Sequence, residues 1–322
     1  MPTETLDFEE PVAVLLKEIE ALSLLPRTEA REREIELLRH RIQSIRADLY
    51  AALTPWQRVL VARHPNRPGL EDFISRLFPG FIEIHGDRRF ADDHAIMTGF
   101  AQYHGRPVLV LGHVKGSDTR EKIFRNFGYT RPEGYRKARR AMRLAEKFRR
   151  PIIAFIDTPA AYPGIDSEER GVAEAIAANL RDMMVIDTPI VIVISGEGGS
   201  GGALGIAVGD RILMQEFAIY SVIPPEGCAA ILLRDAGKKV EAAEALKLTA
   251  PDLLKAGIID EIVREPVGGA QTDADEAARL VDEALLRALD EVSGFEGKAR
   301  LNRRYEKFRH MGKLGVDFVD EG

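Results

Sequence analysis

The chain has 322 residues, 45% of them hydrophobic, which suffices for one sizeable core with an extension. Its formal net charge is −6, so nothing global points to nucleic acid, and any phosphate contact has to be local. The acidic N-terminal stretch and the lack of an apolar run of about 18 residues predict a cytoplasmic chain without a membrane span.

In chain order, Val12, Leu15, Ile19 and Leu22 recur at helical spacing until Pro26. Ile35, Leu38, Ile42, Ile45, Leu49 and Ala52 make a second stripe. The two predict an antiparallel helical hairpin extension over residues 1–65, docked on its own domain or on a partner, with Pro55, Pro65 and Pro68 marking its boundary. From 66 to 322 short Val/Ile-rich runs alternate with helical patterns, the signature of a mixed α/β domain. Strands are expected at 107–114, 151–157, 190–195, 212–214, 219–222 and 258–263. Helices are expected at 135–150, 168–184, 201–208, 240–248, 251–255 and 273–292. The basic tail from about 294 reads as a surface helix and a frayed end. The lone Cys228 permits no internal disulfide, and seven histidines without paired spacing predict no metal site in this chain.

The most informative segment is Gly196-Glu197-Gly198-Gly199-Ser200-Gly201-Gly202-Ala203, which follows a strand and opens a helix of small residues. As a dinucleotide loop it comes late in the strand order and lacks an acidic residue at the usual spacing. As a nucleophile elbow it offers Ser200, but the only downstream histidine is His310 in the basic tail. A third reading is geometric: the Gly201-Gly202 pair lets backbone amides approach a ligand, and first-turn N–H groups without intrahelical partners can stabilise an oxyanion. A second tight turn, Thr158-Pro159-Ala160-Ala161-Tyr162-Pro163-Gly164, follows an earlier strand. It is either an ordinary turn or a second donor of amides, from Ala160 or Ala161, across a cleft from the glycine pair.

These two segments, together with Glu168-Glu169-Arg170-Gly171, Gly112-His113-Val114-Lys115-Gly116, Arg125-Asn126-Phe127-Gly128, Pro132 to Ala138 and Tyr220 to Ala229, closely resemble the carboxyltransferase alpha subunits of bacterial multi-subunit acetyl-CoA carboxylases. The likeness extends to Leu6-Asp7-Phe8-Glu9 and so covers nearly the whole chain. It implies a Clp protease/crotonase-type fold, a spiral of ββα units whose loops supply amides to enolate or tetrahedral oxyanions. It also implies a carboxyltransferase beta subunit as partner, commonly as α2β2, with zinc held only in that subunit. A biotin carboxyl carrier protein would deliver carboxybiotin, biotin carboxylase would complete the larger complex, and acetyl-CoA would be the acceptor. The chain itself would bind no cofactor.

Carried onto these positions, the resemblance implies a backbone oxyanion hole at Gly201 and Gly202, with Ala160 and Ala161 as weaker contributors. Tyr162, Gly164, Gly198, Gly199, Ser200, Glu226, Gly227, Lys115 and Arg125 are the candidates for substrate binding. Alanine at 160 replaces a usual glycine, and Asp166 replaces a usual small residue. The basic residues around Lys115 to Arg125 and Arg136 to Lys147 are either a solvated or partner-facing surface, or contacts for CoA phosphates and an acidic carrier. Two alternatives stand beside this reading: a self-sufficient crotonase-type acyl-CoA hydratase, isomerase or peptidase, and a non-catalytic scaffold subunit.

Overall fold

In the computed structural model, which describes residues 6–312, the chain opens with the expected hairpin, α1 (Glu10–Ser23) and α2 (Glu29–Ala51). The Thr28 hydroxyl caps α2 by accepting from the Arg31 N–H. Val12, Leu15 and Ile42 form the hairpin's small core. Tyr50 fastens its base: the hydroxyl donates to Glu9, and the ring meets Phe217 of the main domain edge-on at 5.2 Å. The hairpin therefore docks on its own chain. α3 (Pro55–Ala62) falls in the stretch assigned to the extension, yet its Val59 and Ala62 pack with Ile219, Ala243 and Leu248 of the main domain.

After α4 (Leu70–Leu77), β1 (Ile82–Glu83), β2 (Ile96–Tyr103) and β3 (Arg106–His113) make an antiparallel run. β2 has no counterpart among the predicted strands, because Thr98, Gly99 and Gln102 interrupt its Val/Ile signature. The signal for it lies in its turn: His104 and Gly105 both take positive φ, 45° and 75°, as a two-residue hairpin loop requires.

α5 (Thr119–Phe124) and α6 (Pro132–Lys147) lead into β4 (Ile152–Thr158). α7 (Ile165–Glu169) and α8 (Val172–Val185) lead into β5 (Ile190–Gly199). The helix predicted over 168–184 is thus two helices, broken where Gly171 turns left-handed at φ 78°. α9 (Ser200–Leu204), β6 (Arg211–Gln215), β7 (Ile219–Ser221), α10 (Pro225–Cys228), α11 (Lys239–Leu246), α12 (Ala250–Lys255), β8 (Glu261–Val263), α13 (Ala274–Ser293) and α14 (Gly297–His310) complete the chain.

The strands form one sheet in the order β1-β2-β3-β4-β5-β6-β8, parallel from β3 onward, with β7 beside the end of β5. Both faces are covered, which explains the unbroken apolar runs. On β5, Ile190, Ile192 and Ile194 pack toward α6 and α8, while Val191 and Val193 pack toward α4 and α13. β5 pairs with β6 over residues 191–194 and with β7 over 197–199, so its carboxyl end changes neighbours where the glycine run begins.

The tail forms the surface helix expected, but two of its arginines, Arg300 and Arg304, are buried. α14 buries Arg304 to 1% exposure, and its guanidinium donates to the carbonyls of Met183, Ile186 and Thr188 and pairs with Asp210 at 2.7 Å. The frayed end expected beyond it lies outside the described residues. Among the described residues no helix is long and apolar enough to cross a membrane.

Candidate active site

β4 and β5 are parallel neighbours, and each ends in a turn at the same edge of the sheet. The β4 register slips between Ile156 and Thr158, so that Thr158 pairs with Gly198. The Thr158 hydroxyl donates to Gly128 O at 2.7 Å, and the Tyr162 N–H donates to Thr130 O at 2.9 Å, fixing the 158–162 turn from outside.

Close approach explains most of the glycines. A Cβ at Gly199 would lie 1.8 Å from Pro159 O, and one at Gly202 would lie 2.4 Å from both Ala160 C and Ala161 N. At Gly198 it would meet the Tyr220 ring at 2.6 Å. The two turns therefore interlock, and the cleft expected between them is a packed contact: Ala160 and Ala161 back the glycine pair rather than face it across open space. Ala160 lies outside the left-handed region, so alanine in place of glycine brings no backbone strain.

Open space lies on the other side, at Gly201. A Cβ there would have only Ile176 Cδ1 near it, at 3.6 Å. Ser200, Gly201, Leu204, Tyr220, Val222, Phe308 and Met311 are among the residues lining an apolar cavity of about 350 Å³. Ser200 turns the strand into α9 with a left-handed φ of 49°, a conformation that costs a non-glycine residue about 1–2 kcal/mol. α9 is shorter than the helix predicted over 201–208, and its first-turn N–H groups have no partner within it. The elbow reading of Ser200 gains this strained turn but no base from His310, whose Nδ1 lies 2.6 Å from Glu306 O on α14.

A chain of charges runs beside the glycine strand. Lys115 Nζ lies 2.7 Å from both Asp157 Oδ1 and Glu197 Oε2. Arg63 holds Glu197 through Nε at 2.5 Å and Glu226 through Nη1 at 2.6 Å. Burial pulls the Lys115 ammonium down, but Asp157 and Glu197 outweigh it and keep its pKa above the usual lysine value. Burial likewise pushes the Glu197 carboxyl up, and Lys115 and Arg63 overcome that to hold it at about 2. Arg125, 11% exposed, donates to Glu71 at 2.7 Å and to His94 O.

Lys115, Arg125 and Glu226, expected to meet substrate, are therefore engaged inside the chain. The basic α6 is similar: Arg136 pairs with Asp87 and Glu133, Lys137 with Asp92, and Arg139 and Arg143 with Asp182. These cations pair with the chain's own acids, and of them Arg143 stays 43% exposed.

Tyr162 lies under the Arg131 guanidinium, 4.9 Å from its ring centroid, and Gly164 packs against the same ring, where a Cβ would sit 2.4 Å from Cε1. Gly227 lies beside Ile223. The charge that Asp166 brings in place of a small residue is paired with Arg170 at 3.2 Å, with Arg131 at 3.9 Å. Sequence reasoning missed Arg63, Asp157, Glu197, Phe308 and Met311. Asp157 and Glu197 could have been found, since each interrupts an apolar strand with a charge that needs a partner when buried. Phe308 and Met311 carried no such signal.

The family model described as acetyl co-enzyme A carboxylase carboxyltransferase-like matches residues 5–312. Acetyl-coenzyme A carboxylase carboxyl transferase subunit alpha of Geobacter metallireducens is 53% identical over 310 residues, covering 96% of this chain and 98% of its own. The protein of the same name from Geobacillus kaustophilus is 51% identical over 318 residues, covering 98% and 97%. Among solved structures, a Pseudomonas malonate decarboxylase hetero-tetramer matches with TM-score 0.56 and 18% identity over 67% of this chain and 86% of that one. Transcarboxylase 12S matches with TM-score 0.54 and 17% identity over 69% of this chain and 42% of its own, so the shared fold spans less than half of that chain. At these identities the structural likeness speaks to the fold alone, which is the crotonase-type α/β fold expected.

Proposed function

Since the chain belongs to the acetyl-CoA carboxylase carboxyltransferase alpha-subunit family, we propose that its Gly201-Gly202 turn is the oxyanion hole for biotin in a site completed by a beta subunit. As an alpha subunit it takes part in moving a carboxyl group from carboxybiotin to acetyl-CoA, giving malonyl-CoA for fatty acid synthesis. The observation that carries the site assignment is the apolar cavity of about 350 Å³ with Gly201 on its wall. It offers an apolar, concave surface for the biotin ring system beside backbone donors.

The chemistry asks for such donors. Cleavage of the N–CO2 bond of carboxybiotin releases CO2 and leaves a ureido oxyanion, which takes a proton from the methyl group of acetyl-CoA. The resulting enolate attacks CO2, and malonyl-CoA and neutral biotin leave. No side-chain nucleophile is required; two transient negative oxygens are, and one well-aimed amide typically stabilises such a charge by about 3–4 kcal/mol. The biotin oxygen belongs at Gly201-Gly202, and the enolate oxygen mainly at the partner. Ser200, Tyr220, Val222, Phe308 and Met311 then shape the biotin cavity, while Ala160, Ala161 and Gly199 hold the turn from behind. Tyr162 and Gly164 flank that support.

A beta subunit bearing the zinc, an α2β2 assembly, and the carrier protein and biotin carboxylase as further partners belong to the same proposal. Copurification with a candidate beta subunit, followed by an assay of biotin-dependent malonyl-CoA decarboxylation, tests it. The mixture is expected to turn over and the isolated chain to be inert. Turnover by the isolated chain would refute the divided site and favour a self-sufficient crotonase-type enzyme.

A further inference from the structure

The turn from Ser200 to Gly205 is made of residues that cannot hold themselves. Three of its six residues are glycines, α9 has five residues, and a helix that short has no stability of its own in water. An amide that stabilises an oxyanion must nevertheless be aimed before the charge appears. The orientation has to be imposed by neighbours, and two buried polar side chains do so.

Tyr135 on α6 is fully buried, and its hydroxyl donates to Gly202 O at 3.1 Å. Burial raises its pKa, so the hydroxyl remains a donor through the working pH range. The ring lies where Gly205 would carry a side chain, with Cε1 2.5 Å from that Cβ position. Asn179 on α8, also fully buried, donates through Nδ2 to Gly205 O at 2.9 Å and to Tyr135 O at 3.0 Å. The Gly205 N–H in turn donates to Gly201 O at 3.0 Å.

The peptide joining Gly201 to Gly202 carries both that carbonyl and the Gly202 N–H. Fixing Gly205 therefore fixes the plane of the Gly202 amide, and holding Gly202 O removes the rotation that remains at its α-carbon. Asn179 also leaves its Oδ1 buried without a partner, a cost that leucine would avoid. Its two N–H bonds explain why an amide stands there.

We propose that Tyr135 and Asn179 are positioning residues that hold the Gly202 amide in its stabilising direction. This rests on the assignment of the hole to Gly201-Gly202. Neither residue lines the cavity, and each acts through the turn.

Tyr135→Phe keeps ring and volume and removes one hydrogen bond; Asn179→Leu removes two donors at similar volume. Gly201→Val, which keeps the N–H but fills the cavity beside it, tests whether the turn is the site at all. With each variant assembled with its beta subunit, kcat and KM for malonyl-CoA are measured in biotin-dependent decarboxylation, beside the fraction of folded complex. Tyr135→Phe and Asn179→Leu are expected to lower kcat about tenfold, the factor expected for misaiming worth about 1.4 kcal/mol, and to leave KM within about twofold. Unchanged kcat in both, beside an inactive Gly201→Val, overturns the positioning role and leaves the hole standing. A fully active Gly201→Val overturns the hole and this inference with it. Losses that merely follow the fraction of unfolded or unassembled chain, or failure of both variants to fold, make the pair structural and overturn the proposal.

Discussion

Lys115 lies between Asp157 and Glu197, 24% exposed, and the three share their charges with Arg63 and Glu226. Replacing Lys115 with methionine leaves two carboxylates facing each other with half their compensation gone. Loss of one partner from a buried ion pair typically costs about 3–5 kcal/mol. Lys115→Met is therefore expected to lower the unfolding free energy of the chain by roughly 3 kcal/mol while leaving KM for malonyl-CoA unchanged. A raised KM at unchanged stability would instead make Lys115 a contact for CoA. The pH dependence has a definite sign. Glu197, with an ordinary value of 4.5 and held at about 2, contributes stability that is complete above pH 4.5 and is lost as pH falls toward 2. Without Lys115 that loss moves to higher pH in an acid titration of the folded chain.

The sequence places Lys115, Glu226 and the glycines near one another through motif likeness, and the structure does bring them together. It gives no means of seeing that Glu226 shares Arg63 with Glu197, because the side chains involved are separated by 134 and 163 residues. Composition at one position records charge, not the partner that neutralises it.

At the scale of elements, strands were legible where both faces are buried. β4 and β5 alternate their side chains between two hydrophobic layers and so read as unbroken Val/Ile runs. β2 was not, because an antiparallel strand with Gly99 packed under Phe81 needs no such run. α14 misled in the opposite direction. Its basic residues suggest a wet surface, yet Arg304 reaches through the layer to three backbone carbonyls and Asp210. Arg304→Met is expected to cost about 3–5 kcal/mol, since it strands a carboxylate and three acceptors in a buried place. Thermal or denaturant unfolding measures it, and a cost below about 1 kcal/mol would mean that water replaces the guanidinium. Because Phe308 and Met311 line the cavity, the same anchor sets one wall of the proposed biotin pocket.

For the whole molecule, the parallel sheet brings two turns together at one edge, 40 residues apart in sequence at Asp157 and Glu197. One turn backs the other, leaving Gly201 facing a cavity, and under the proposed function the second half of the site falls to a partner subunit. α9 has neither the length nor the side chains to aim its amides alone, so the sheet edge, Tyr135 and Asn179 do it together. The most direct test of the central claim is kcat for biotin-dependent malonyl-CoA decarboxylation by the assembled complex carrying Gly201→Val. The substitution keeps the backbone N–H and has room near Ile176, but it puts an isopropyl group into the cavity that Gly201 lines, so assembly is expected to survive while displacement of the biotin ring lowers turnover about 100-fold. Wild-type turnover from a correctly assembled Gly201→Val complex would contradict the account.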